Sequence, residues 1–146
     1  MPVSVQITRL RDIPLPAYMT AGSAAMDCAA AIEAPIVLPP HTPVQIPLGF
    51  AIALPSRDYV ALMFGRSSMG RKYGVSLANS VGVIDSDYRG ELSATLINLT
   101  DTPVTIEPGQ RVAQLMIIPV ATAIWAEVEA LPESVRGEGG HGSTGY

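Results

Sequence analysis

Apolar residues along this chain alternate with polar ones over short stretches and never hold a 3.6-residue period for three turns. Runs rich in Val, Ile and Thr cover Val3 to Leu10, Val44 to Ile46, Phe50 to Leu54, Tyr59 to Phe64, Leu92 to Leu99, Val104 to Ile106, Arg111 to Ile118 and Ile124 to Val128. The cleanest is Glu91-Leu92-Ser93-Ala94-Thr95-Leu96-Ile97-Asn98, whose alternation suits a strand with one buried face. Thirteen prolines and thirteen glycines separate these runs at close intervals. Short strands divided by such turns predict an all-β sandwich or barrel. One helical turn is expected around Ser67 to Lys72.

Past residue 132 the pattern stops. The stretch 133–146 is polar, and five glycines fall among its last ten residues. Each glycine has much backbone freedom to lose on ordering. We therefore divide the chain into a core, 1–132, and a flexible C-terminal arm, 133–146, which reads either as a frayed end or as a segment that orders on a ligand.

Composition sharpens the picture. Hydrophobic residues make up 48% of the 146 and charged ones only 15%, against a usual charged share of about 25%. A monomer with so few charges would expose much apolar surface, so self-association is expected. A net charge of -4 argues against a nucleic-acid partner, which needs a basic face. The longest uncharged run, Ala34 to Ser56, contains six prolines, so no membrane span is expected and a cytoplasmic location is. Cys28 is the sole cysteine and reads as a small buried hydrophobe. His41 and His141 stand a hundred residues apart, which offers no zinc spacing.

Three clusters carry chemistry. Arg66-Ser67-Ser68, between Gly65 and Gly70, supplies a cation, hydroxyls and turn amides, all donors for phosphate oxygens. A plain turn with a surface arginine fits the same residues. Gly82-Val83-Ile84-Asp85-Ser86-Asp87-Tyr88-Arg89-Gly90 reads as a turn beside a pocket, where a carboxylate accepts a proton from an attacking water. Asp85 and Asp87 share a face if that segment is extended. An aspartate-rich turn is its bland alternative. In the arm, Arg136 opens a glycine-rich stretch ending in Ser143-Thr144-Gly145. Two Arg/hydroxyl/Gly clusters in an acidic chain suggest a polyphosphate ligand. The dinucleotide pattern within Gly137 to Gly142 lacks room for the helix it requires, and Gly65 to Lys72 misses the phosphate-loop pattern at its lysine.

Together these segments resemble the trimeric deoxyuridine triphosphatase (dUTPase) family through five ordered motifs: AGSAAMDCAA (Ala21 to Ala30), GRSSMG (Gly65 to Gly70), GVIDSDYRG (Gly82 to Gly90), PGQRVAQLMI (Pro108 to Ile117) and RGEGGHGSTG (Arg136 to Gly145). The resemblance implies an all-β jelly roll, a homotrimer with active sites at subunit interfaces, and an arm that closes over them. It implies hydrolysis of dUTP to dUMP and pyrophosphate, with Asp85 as general base. Arg66, Ser67, Ser68 and Gln114 correspond to the phosphate-binding residues. Asn79, Gly82, Val83 and Ile84 correspond to the uracil-reading hairpin, Tyr88 to the aromatic against the deoxyribose, and Ser93 to a further substrate contact. Arg136, His141, Gly142, Ser143 and Thr144 correspond to the substrate-binding arm. Magnesium (Mg2+) is implied on the triphosphate and waters, with Asp27 helping to place the hydrated ion. A dCTP deaminase of the same fold and a non-catalytic regulatory trimer are the alternatives.

One departure from the family pattern generates a prediction. His141 stands where phenylalanine is usual in the family, and an imidazole stacks with less area than a phenyl ring. Substrate affinity of His141→Phe is therefore expected to exceed that of the natural chain. Equal affinities for the two proteins, measured by titration, contradict this.

Overall fold

A computed structural model describes residues 2–145. The elements, in chain order, are β1 (Gln6–Arg9), β2 (Met26–Ala29), β3 (Ile36–Leu38), β4 (Val44–Pro47), β5 (Phe50–Ala53), β6 (Tyr59–Gly65), α1 (Ser67–Tyr73), β7 (Val75–Leu77), β8 (Val81–Ile84), β9 (Ser93–Asn98), β10 (Val104–Ile106) and β11 (Arg111–Pro119). The chain is all-β, as the alternation predicts, and its one described helix lies where the helical turn is expected. That helix stops at Gly74, whose φ of 64° is the left-handed region glycine favours, and a side chain there would collide with Thr100.

The strands form a four-stranded sheet in the order β2-β11-β6-β8, a three-stranded sheet β4-β9-β7, and the pairs β1-β5 and β3-β10, with every strand pair antiparallel. The expected alternation of Glu91 to Asn98 is present: Leu92, Ala94, Leu96 and Asn98 are buried. Their apolar members join Leu38, Ile46, Phe50, Met63 and Leu115 in one core. Cys28 is buried there too, and burial, helped by the Asp27 charge, pushes its thiol up to about 12. It is a packing residue rather than a nucleophile.

The expected strand at Ile124 to Val128 does not form. Residues 120–128 leave β11 without a ladder partner, and Ile124 and Trp125 are each 93% exposed. β propensity alone does not make a strand; it needs a neighbour for its amides and carbonyls. Conversely β2, β3, β7 and β8 form where no Val/Ile/Thr-rich run is expected.

Asn98 is the one buried polar residue among the described residues, and its side chain explains why it is tolerated. Its amide nitrogen donates to the carbonyls of Leu38 (3.1 Å) and Thr102 (2.8 Å). Its oxygen accepts from the backbone nitrogen (2.9 Å) and hydroxyl (2.8 Å) of Thr100. Asn98→Leu strips these partners at once and is expected to cost about 3 kcal/mol, read from urea unfolding at fixed protein concentration.

Candidate active site

The four-stranded sheet positions most of the site. Its registers place Met26, Leu115, Met63 and Gly82 in one row facing the core, and Asp27, Gln114, Phe64 and Val81 in the next row facing outward. A register shift of β11 against β2 falls between Arg111 and Ala113, where Val112 and Ala113 are buried in succession. This is a β-bulge. Positions three apart on a regular strand face opposite sides, so the extra residue lets Arg111 join Gln114 and Asp27 on one side.

The result is a phosphate-type cluster. Asp27, with a side chain only 12% exposed, receives Arg66 Nε on Oδ1 and Arg111 Nη1 on Oδ2, each at 3.0 Å. Arg66 Nη1 also donates to the Arg111 carbonyl (3.1 Å) and to Ser68 Oγ (3.3 Å). Gln114 Nε2 donates to the Gly65 carbonyl (2.9 Å), which ties β11 to the loop carrying Arg66. Ser67 and Ser68 are exposed at the start of α1. Two guanidiniums thus stand fixed beside exposed hydroxyls, a donor-rich surface for phosphate oxygens. Arg111 is missing from the candidates read off the sequence. It lies inside the fourth motif, but nothing local signals a bulge that turns it toward Asp27.

The second constellation is a cleft of about 220 Å³ lined by Met63, Asn79, Gly82, Val83, Ile84, Asp85, Tyr88, Glu91 and Ser93, among others. β8 is an edge strand bonded only to β6, so its other edge offers unpaired amides and carbonyls. A tight turn, with Ser80 at φ 64° and its amide bonded to Leu77, sets Asn79 at the cleft. A Cβ at Gly82 would sit 3.1 Å from that of Met63, so glycine keeps the floor open. Asp85 follows β8 directly at the rim and makes no ion pair among the described residues. The chain turns after it, with the Tyr88 amide bonded to the Asp85 carbonyl, and Arg89 braces that turn through the carbonyls of Ser86 and Tyr88. Asp87 does not line this cleft; it borders a shallower depression on the outer side, which Asp85 also touches.

The two constellations share no lining residue, and no described residue of the arm lines either of them. Arg136 Nε donates to the Gly139 carbonyl (2.7 Å), and local turns occupy the arm's other hydrogen bonds. Arg136, His141, Gly142, Ser143 and Thr144 are exposed. One chain therefore carries the parts of a site without bringing them together. If Asp27 holds the two arginines in place for an anion, Asp27→Asn keeps its shape but loosens both. Inorganic pyrophosphate affinity, measured by calorimetry, is then expected to fall about tenfold, with stability lower by about 1–2 kcal/mol.

The sequence profile of the dUTPase family matches residues 11–145. A deoxyuridine 5'-triphosphate nucleotidohydrolase of Albidiferax ferrireducens is 47% identical over 131 residues, covering 90% of this chain and 88% of the relative. One from Neisseria meningitidis serogroup A is 44% identical over 137 residues, covering 94% and 91%. Among solved structures, a mutant dUTPase of Staphylococcus bacteriophage 80alpha with dUpNHpp aligns at a TM-score of 0.86 and 26% identity, covering 98% of this chain and 99% of that one. A mutant dUTPase from phage phi11 of S. aureus, whose description concerns the coordination of a structural Mg(II) ion, aligns at 0.80 with 22% identity over 89% and 99%. All five motifs, from Ala21 to Gly145, fall within the profile's span; the arginine cluster draws on the first, second and fourth of them and the strand edge of the cleft on the third, and this chain belongs to the dUTPase family.

Proposed function

We propose that this chain hydrolyses dUTP to dUMP and pyrophosphate, as a homotrimer whose sites form between copies. The observation that carries the reading is Asp85, a carboxylate without an ion pair among the described residues, at the mouth of a cleft walled by the free edge of β8. Uracil presents acceptor, donor, acceptor along its O2, N3 and O4 edge, which a strand edge of alternating amides and carbonyls suits. Cytosine inverts part of that pattern and would leave buried groups unpaired. Tyr88, half exposed at the same mouth, stands to pack against the sugar, and Ser93 lines the opposite strand.

The chemistry follows from those positions. Asp85 accepts a proton as a water oxygen attacks the α-phosphorus in line. A bond forms from that oxygen to phosphorus, the bond to the β-phosphate bridging oxygen breaks, and pyrophosphate leaves with that electron pair. Arg66, Ser67, Ser68 and Gln114 would hold the phosphates, and Arg136 with Gly142, Ser143 and Thr144 would close over them while His141 covers the base.

Magnesium belongs to this reading as a group bound chiefly by the substrate. The described residues contain no cluster of three or more His, Cys, Asp or Glu, and both Asp27 oxygens already take arginine donors. Such a site suits an ion that keeps its waters and sits on triphosphate oxygens, with Asp27 near its hydration shell. When bound, the ion neutralises charge on the triphosphate.

The homotrimer is supported by uncovered apolar surface. Val60, Leu62, Phe64, Val81, Val83, Met116 and Ile118 all point from the outer face of the four-stranded sheet, and the Asp27 cluster lies on the same face. Ile124 and Trp125 add a second uncovered patch on a segment with no partner strand. Burying these against copies would bring the arginine cluster of one chain toward the cleft of another. No described helix is long and apolar enough to cross a membrane, and we assign the enzyme to the cytoplasm.

Pyrophosphate release from dUTP, dCTP, dTTP and UTP with magnesium tests the reading. Turnover of dUTP alone is expected, falling by about 10²–10⁴ in Asp85→Asn. Deleting residues 136–146 is expected to leave the trimer intact by light scattering while turnover collapses. Ammonia released from dCTP points instead to a deaminase, and no turnover of any nucleotide to a regulatory trimer.

A further inference from the structure

Glu91 is the residue that the proposed chemistry leaves without a task, although it lines the cleft. Its carboxylate is held from three directions. Arg11 donates Nε to Oε1 at 2.5 Å and Nη2 to Oε2 at 3.1 Å, a two-bond clamp, and the Gly49 amide donates to Oε1 at 3.1 Å. The Arg11 guanidinium, through that hydrogen bond, draws the Glu91 carboxyl below the usual carboxylate range. These hydrogen bonds favour the ionised form of the carboxylate.

The other end of Glu91 reaches the sugar side of the cleft. Its backbone carbonyl accepts the Tyr88 hydroxyl at 3.3 Å. The Tyr88 ring also lies so close over Gly90 that a side chain at that position would collide with it. Tyr88 is thus folded back onto residues 90 and 91, and nothing deeper anchors it: it is 48% exposed and its hydroxyl bond is long. The next residue, Leu92, is fixed by backbone bonds to Phe50 and Leu48. Glu91 is therefore a braced point beside a half-exposed aromatic, and its brace comes from the segment after β1 and the β4–β5 turn.

We propose that Arg11 and Glu91 are positioning residues for Tyr88, and that their ion pair sets how strictly the cleft excludes a ribonucleotide. The proposal rests on the reading of this cleft as a deoxyuridine site. A 2′-hydroxyl differs from hydrogen by one oxygen atom, so a wall rejects it only while it cannot yield by about an ångström. Slack in the Tyr88 support admits the hydroxyl without harming the fit of the deoxyribose, and Asp85 and the phosphate groups stay where they are. The effect falls on selectivity, not on the chemical step.

The test compares kcat/KM for dUTP and UTP in the full chain and in Glu91→Gln, Arg11→Met and Arg11→Lys, with the melting temperature of each. Glu91→Gln preserves the acceptor for Gly49 but removes the charge. The dUTP/UTP ratio is expected to drop about tenfold in Glu91→Gln and Arg11→Met, less in Arg11→Lys, with kcat for dUTP within about twofold of the natural chain. An unchanged ratio in whichever variants fold, even with lowered melting temperature, overturns the proposal and leaves the pair a structural brace. A natural chain that does not prefer dUTP over UTP overturns the reading of the cleft and the proposal with it.

Discussion

Everything in this site depends on β11 pairing with two neighbours at once. The strand bonds β2 along one edge and β6 along the other, and β6 in turn carries β8. Because side chains on a strand alternate, this double pairing decides in one stroke which residues enter the core and which face outward. Leu115, Met63 and Ala61 go in; Asp27, Gln114 and Phe64 go out. A slip of one residue would bury the carboxylate and expose the leucine. The hydrophobic gain from the inner row forbids that slip, and so the packing of the core fixes the geometry of the charged cluster.

Within that constraint the bulge at Arg111 to Ala113 is the functional irregularity. It breaks the period by one residue, and Arg111 then reaches the carboxylate that already holds Arg66. Two cations can stand this close only because Asp27 lies between them. Its partial burial strengthens both ion pairs without isolating the arginines from solvent or ligand. The cleft beside Asp85 relies on the opposite device, an edge left unpaired. An exposed edge is ordinarily an aggregation hazard; β8 is short, and it borders the cleft.

Much of this was legible in the residues. Leu92 to Leu99 and Arg111 to Ile118 alternate or cluster strongly enough to predict their strands, and Ser67 to Lys72 its helix. Gly65-Arg66-Ser67-Ser68 and Gly82 to Gly90 stand out by composition, and the structure places them at the arginine cluster and the cleft. Ile124 to Val128 misled because its apolar residues have no partner within the chain, so the same pattern that predicts a strand here marks uncovered surface. Glu91 and Arg11 escaped notice for another reason: they lie eighty positions apart, and an ion pair across that distance leaves no local trace.

The sequence alone determined the all-β class, the buried role of Cys28 and the motifs that carry the family, because alternation, lone-cysteine chemistry and turn residues act locally. Tertiary structure decided which of those residues meet. It turned Arg111 toward Asp27 through a bulge and braced Glu91 with Arg11. It also left the cleft, the arginine cluster and the arm apart in one chain. Those outcomes depend on strand register and on contacts between distant segments, which the packing of the whole sheet sets and no stretch of sequence encodes by itself.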